Sequence, residues 1–251
     1  MAQYRATLAY DGAAYQGFQR QRDGISTVQA MVEQAIAAVT GQAATLTAAG
    51  RTDTGVHASG QVIAFVVDWS RSANALLRAI NAHLPSDIVL QTLSQCAGFH
   101  PRFDAQARCY RYMVIQSSQR QPLLRHRAWW VNRLLDFEAI QAASKMLIGE
   151  HDFAAFGKPP QGDNTVRRIF VSEWIQRETA SGIVLEYSVE ATAFLHHMVR
   201  RIVGTQVDVG IGRIDLTEFK RIFESADLSL AKRLAPPQGL ILEKVRYPDD
   251  D

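Results

Sequence analysis

The sequence predicts an α+β fold in which helices pack on a mostly antiparallel sheet, and three observations predict it. Apolar residues recur at helical spacing in five segments. Four other stretches alternate, or run continuously apolar, as strands do. The two kinds of segment interleave along the chain, with several helices in each half.

The first strand comes from the alternation of Ala6, Leu8 and Tyr10 with polar or small neighbours. The clearest helix runs from about Val28 to Thr40, where Val28, Met31, Val32, Ala35, Ile36 and Val39 make one apolar stripe. Ser26 and Gln29 are spaced as a capping box, and Gly41 supplies the stop. Val62 to Val67 is uninterrupted apolar sequence, the pattern of a strand buried on both faces. A second helix follows Ser72, buries Leu76, Leu77 and Ile80, and ends before Pro85. Tyr110, Tyr112 and Val114 alternate as a strand. A third helix follows Asp136, with Phe137, Ile140 and Leu147 inward and a stop near Gly149. Ile183, Leu185, Tyr187 and Val189 give another strand. A fourth helix carries Leu195, Met198, Val199, Ile202 and Val203, and a fifth Leu216, Phe219, Ile222 and Phe223. Gly98 to Ala107 contains Pro101 and few apolar residues, and marks a junction between an N-terminal half, residues 1–105, and a C-terminal half, residues 106–251.

Of the 251 residues, 47% are hydrophobic and 21% charged, so the chain has ample material for a core. No apolar run approaches the ~18 residues that a bilayer demands. The N-terminus enters strand-like alternation without an apolar signal core, and the expected localisation is cytoplasmic. Cys96 and Cys109 form no metal or disulfide spacing and read as small buried hydrophobes. The net charge is only +2, but its distribution is uneven. Arginine supplies 22 of the 27 basic residues, and seven arginines lie between Arg102 and Arg133 with Asp104 as the single acid. Arginine's planar fork fits phosphate oxygens and stacks on bases, so this strip is a candidate nucleic-acid contact. A solvated arginine-rich surface would give the same count.

The segment that points to chemistry is Gly50 to Gln61, G-R-T-D-T-G-V-H-A-S-G-Q. Its three glycines permit a tight turn with a close backbone approach to a ligand. Asp53 at its centre can serve as nucleophile or general base, or can close an Asx-turn. The sequence contains neither a phosphate-cradling G-x-x-x-x-G-K-[ST] loop nor a G-x-G-x-x-G dinucleotide fingerprint.

The string G-R-T-D-T-G-V-H-A resembles the G-R-T-D-x-G-V-H-A motif of the tRNA pseudouridine synthase A family. The resemblance extends over essentially the whole chain, with blocks in family order. Y-D-G-A-A-Y-Q-G-F-Q-R-Q at Tyr10 to Gln21 is similar to the opening strand and loop. N-A-H-L-P-S-D at Asn81 to Asp87 is similar to an N-x-x-L-P-x-D turn. F-H-P-R-F-D-A at Phe99 and A-R-C-Y-R-Y at Ala107 follow. F-L-H-H-M-V-R-R-I-V-G at Phe194 and A-P-P-Q-G-L-I-L at Ala235 complete the set.

The resemblance implies two α/β halves joined through one extended, mostly antiparallel sheet flanked by helices, with the active cleft between them. It implies isomerisation of uridine to pseudouridine on the 3′ side of the tRNA anticodon stem-loop, by a homodimer, with no cofactor. Asp53 is then the essential carboxylate, attacking either sugar or base. Arg200 is the neighbouring cation that keeps it ionised, with Arg201 the adjacent alternative. Tyr110 lies against the target base and is the candidate to take the C5 proton, with Tyr112 on the same strand face. Leu240 packs under the site. Arg51 approaches the RNA and either occupies the space the extruded base vacates or holds the flipped nucleotide's phosphate. His196 and His197, placed next to each other on the fourth helix, would face ~100° apart, and no metal is expected. His57 is assigned to holding backbone. Phe18 replaces a tryptophan frequent in relatives, and G-K-P-P-Q-G-D at Gly157 to Asp163 departs from them as a Pro/Gly-rich loop. A non-catalytic RNA-binding protein of the same fold, and a hydrolase built on Asp53, are the rival readings. The second would want a further carboxylate, and the loop has none.

Overall fold

The computed structural model describes residues 1–22 and 24–248. It divides the chain into two compact units: Met1–Gln106 with the C-terminal stretch from Ile241 onward, and Ala107–Leu240. Both combine helices with mostly antiparallel strands, as the α+β pattern predicts.

In the first unit, strand β1 (Ala2–Tyr10) buries Tyr4, Ala6, Leu8 and Tyr10 in alternation. It lies between β4 (Ile88–Cys96) and β3 (His57–Val67), antiparallel to both. The short β2 (Thr47–Ala48) adds to β3 antiparallel, and β10 (Leu240–Arg246) pairs with β3 in parallel, Ile241 opposite His57. Because β10 pairs with β3, the residues after Leu240 belong with the first unit. The sequence division at 105/106 had put them in the second. Helices α1 (Val28–Thr40) and α2 (Ala73–His83) pack on each other, and α2 packs on β4.

The N-cap of α1 is Thr27, whose hydroxyl accepts the Ala30 N–H at 3.3 Å. The expected capping box with Ser26 does not form, since Gln29 is engaged elsewhere. Its amide donates to the buried Glu33 carboxylate at 2.8 Å and accepts the Arg20 N–H at 3.0 Å. Gly41 ends the helix in the left-handed region, φ 70°, as expected for a C-terminal glycine. Asn81 on α2 takes both backbone groups of Leu90, each at 2.8 Å, so this part of the outer strand β4 is satisfied without a further strand.

In the second unit, β5 (Ala107–Gln116) pairs in parallel with β6 (Trp129–Val131) and antiparallel with β9 (Gly182–Ala191). Next come β8 (Val166–Thr179) and β7 (Gly149–Asp152), both antiparallel. Helix α3 (Phe137–Lys145) packs on β8 and on α4 (Met198–Gly210) and α5 (Leu216–Glu224). Leu147 is buried as expected, although α3 ends at Lys145. The core of this unit holds a hydrogen-bonded polar seam. The Ser172 hydroxyl meets the Tyr187 hydroxyl at 2.7 Å, and Trp174 Nε1 donates to Gln206 Oε1 at 2.9 Å. The two hydroxyls, the indole N–H and Gln206 Oε1 are matched in this way.

Candidate active site

The loop from Ala49 to Val56 leaves β2 and enters β3, and the first unit holds it from several sides. Ala49 N–H still bonds Val62 O at 2.9 Å, which extends the β2–β3 ladder by one step. At Gly50 the backbone peels away, and the Gln61 side-chain amide donates to Gly50 O at 2.9 Å. Thr52 is buried: its hydroxyl lies 2.8 Å from the Tyr10 hydroxyl, and its carbonyl accepts the Phe18 N–H at 3.1 Å. Val56 N–H closes a turn onto Asp53 O at 3.1 Å, with Gly55 at φ 79°. Asp53 is half-buried on this frame and Arg51 is exposed.

The Y-D-G-A-A-Y-Q-G-F block is the other half of the clamp. A Cβ on Gly12 would sit 1.9 Å from Val56 O, so only glycine admits this approach. Gly17, at φ 85°, lies against the Thr52–Thr54 backbone. Gly12 N–H reaches Nδ1 of the buried His57 at 3.0 Å, and His57 thus holds backbone as expected. Tyr15 donates to the Asp87 carboxylate at 2.7 Å and Asp11 N–H to Asp87 O at 2.9 Å. This fastens the N-x-x-L-P-x-D turn to the same block. Burial and the Asp87 hydrogen bond hold the Tyr15 hydroxyl well above its ordinary pKa, so it stays a donor.

In the second unit the two tyrosines of β5 and the two adjacent arginines differ in burial and partners. Tyr112 is fully buried and donates to Pro236 O at 2.7 Å. Burial pushes its pKa well up, with the Arg200 guanidinium opposing. Tyr110, two residues away on the same face of β5, is half-buried and meets Phe194 edge-on at 5.1 Å. Tyr112 is therefore spent on structure, while Tyr110 keeps access to solvent. Arg200 is buried, not solvent-facing. Its Nε donates to Ala235 O at 2.8 Å, and its own carbonyl accepts Ala235 N–H at 3.1 Å. Arg201 reaches Ala231 O at 3.0 Å instead. Arg200 and Tyr112 thus pin the 235–239 turn from two elements. Gly239 fits beneath the Tyr112 ring, where a Cβ would stand 2.6 Å from Cζ, and the turn delivers Leu240 in a buried position.

The expected placement of the histidines is corrected. Helix α4 begins at Met198, and His197 precedes it in the left-handed region at φ 65°. With the helical 100° step absent, the His196 and His197 rings stack, centroids 3.6 Å apart. The two rings therefore do not face ~100° apart as a helical step would require. His196 N–H also bonds Lys158 O at 2.9 Å, which ties the start of the Gly157–Asp163 loop to this turn. Leu195, expected on the helix, is buried just before it.

The arginine strip separates into two groups. Arg108 is buried and donates to Thr192 O at 3.0 Å, and Arg111 pairs with the buried Glu186 at 3.3 Å. Arg102, Arg120, Arg125, Arg127 and Arg133 are exposed. Cys96 and Cys109 are half-buried, not buried as expected, and free of disulfides. No helix among the described residues is long and apolar enough to cross a membrane. Sequence reasoning missed Tyr10, Thr52 and Gln61 as supports of the loop. A glutamine bordering a continuous apolar strand was the one available signal.

Comparison with known proteins places relatives beside this geometry. A family model described as tRNA pseudouridine synthase matches residues 6–104 and 143–248. That match includes Asp53, Arg200 and Leu240 and leaves out most of the arginine strip and Tyr110. The chain is 41% identical to a tRNA pseudouridine synthase A of Neisseria gonorrhoeae (strain NCCP11945), over 96% of this chain and 91% of that one. It is 39% identical to that of Pseudothermotoga lettingae, over 98% of this chain and 100% of the relative. The figure for Acetivibrio thermocellus is 38%, with the same coverage.

Proposed function

The chain belongs to the tRNA pseudouridine synthase family, an isomerase family, and on that premise we propose that it converts uridine to pseudouridine in the tRNA anticodon stem-loop with Asp53 as the nucleophile. The reaction keeps every atom of the nucleotide. The N1–C1′ bond breaks, the uracil turns, C5 bonds to C1′, and the C5 proton leaves while N1 gains one. Such a sequence needs a nucleophile that can also depart, a base for the C5 proton, and a base extruded from its helix.

In this reading the site residues are Asp53, Arg51, Tyr110, Arg200 and Leu240. Asp53 adds to the sugar, losing that bond as C5 closes on C1′, or to the base, losing it as the C5 proton leaves and the ring double bond is restored. Arg200 is the cation of the site. Tyr110 takes the C5 proton and presents its ring to the uracil. Leu240 gives an apolar floor, and Arg51 holds the displaced nucleotide. The enzyme works in the cytoplasm as a homodimer, with exposed arginines of the strip on tRNA phosphates. The observation that carries the reading is the loop itself. Two buried hydroxyls, a carbonyl–amide bond and two glycine contacts fix the residues on either side of Asp53, and its carboxylate stays half-buried.

The test is incubation with uridine-containing tRNA, followed by mapping of pseudouridine and assay of free uracil. Pseudouridine in the anticodon stem-loop without free uracil is expected. Free uracil would make the protein a hydrolase, and unaltered uridine with retained binding would make it an RNA-binding module.

A further inference from the structure

Gln61 is an anomaly in its strand. It borders the apolar run of β3, with Val62 to Phe65 buried beside it, and its own side chain is fully buried. Its Nε2 donates to Gly50 O, while its Oε1 has no hydrogen-bond partner. The Gly50 carbonyl fixes this orientation, because a flipped amide would set two acceptors face to face. A buried acceptor without a partner costs on the order of 1–3 kcal/mol, more than the single amide bond returns. A leucine or methionine would serve the strand's packing at least as well. The side chain leaves one polar atom unmatched while the other holds the Gly50 carbonyl.

That carbonyl lies where the β2–β3 ladder stops. Ala49 N–H bonds Val62 O, and one residue on the Gly50 carbonyl is held by the Gln61 amide. Three residues on stands Asp53. On the far side of the loop, Tyr10 and Phe18 fix Thr52. Gln61 holds the loop from β3, the strand the loop leads into.

We propose that Gln61 is a positioning residue for the isomerisation: it sets the departure of the Gly50–Gly55 loop from the sheet and thereby the placement of the Asp53 carboxylate. This rests on the reading of Asp53 given above. The side chain touches neither substrate nor reacting atoms and acts through the backbone. A displacement of about 1 Å in a reacting group can cost on the order of a hundredfold in rate, so a loop held on one side only is a poor catalyst.

The experiment compares wild type, Gln61→Met and Asp53→Asn in three measurements. They are thermal midpoint, hydrogen exchange of the amides in residues 50–56, and steady-state pseudouridine formation on tRNA. Gln61→Met removes the unmatched acceptor but leaves Gly50 O without its donor, so the midpoint is expected to stay close to that of wild type. It is expected to speed exchange in the 50–56 segment alone and to lower kcat by about tenfold or more with KM within about twofold. Gln61→Leu, which shortens the side chain, repeats the test if Gln61→Met fails to fold. Unchanged exchange in the segment, or an unchanged kcat, overturns the proposal. So does a lower midpoint with faster exchange throughout the first unit, which is the mark of a merely structural role. Activity retained in Asp53→Asn would remove the parent reading instead, and the exchange measurement would still decide whether Gln61 fixes the loop.

Discussion

The Tyr10 hydroxyl and the Thr52 hydroxyl lie 2.8 Å apart in the interior, which ties the end of β1 to the residue before Asp53. Either can donate to the other, and neither is replaceable by an apolar group without leaving its partner short. Tyr10→Phe and Thr52→Val are each expected to cost about 1–2 kcal/mol in urea unfolding. The double variant should cost less than their sum, because the bond is lost only once. Strict additivity would show that the two hydroxyls are satisfied independently.

Two glycines of the motif blocks should behave in opposite ways. Gly12→Ala drives a Cβ to 1.9 Å from Val56 O, against backbone that cannot swing aside, and about 1–3 kcal/mol of destabilisation is expected. At Gly50 an added Cβ meets nothing within 4 Å, and its φ is not left-handed. Gly50→Ala is expected to change stability by no more than about 0.5 kcal/mol, although it opens the G-R-T-D string. Denaturation midpoints of the two variants check this contrast.

Arg200 and Arg201 are neighbours in sequence and differ in duty. Arg200→Lys keeps the charge but loses the Nε bond to Ala235 O, and with it one of the two pins on the turn before Leu240. A hydrogen bond from a charged group is worth about 1.5–3 kcal/mol, so kcat is expected to fall roughly 10- to 100-fold. Arg201→Lys should stay within about threefold of wild type, since its bond is to Ala231 and lies off that turn. Equal effects in a steady-state assay would refute this division of labour.

Buried tyrosines set the alkaline limit of the second unit. Burial raises the pKa of Tyr112 and Tyr187 above the ordinary value of about 10. The folded state therefore holds these protons more tightly than the unfolded chain. Their contribution is complete below pH ~10 and is lost as pH rises from there toward the folded values. Each should add a slope of about 1.4 kcal/mol per pH unit to the alkaline limb. Urea midpoints measured across that range should show the slope, and Tyr187→Phe or Tyr112→Phe should each flatten it.

How far these features could be read beforehand depends on where the partners lie. Helix and strand positions were legible because their signal is local: Val28 to Thr40 has its stripe, and Ala6 to Tyr10 its alternation. The break at His197 was not, since the left-handed residue is a histidine and the apolar spacing continues through Leu195 without a gap. The capping of α1 by Thr27 turned on Glu33 drawing Gln29 away, a competition invisible to a four-residue motif. Candidate site residues were legible as a string, but their supports were not. Tyr10 is 42 positions from Thr52, and Arg200 is 35 from Ala235. The pairing of β10 with β3, which draws the C-terminal strand into the first unit, is equally remote in sequence.

The central claim is that the Asp53 carboxylate performs the chemical step. Asp53→Asn changes one oxygen for an NH₂ of the same size and leaves the loop's backbone bonds and the Tyr10–Thr52 bond in place. The direct measurement is pseudouridine formed by Asp53→Asn on bound tRNA in a single turnover. Binding within a few-fold of wild type with no detectable product is what this account predicts, and product formed at a rate near that of wild type would contradict it.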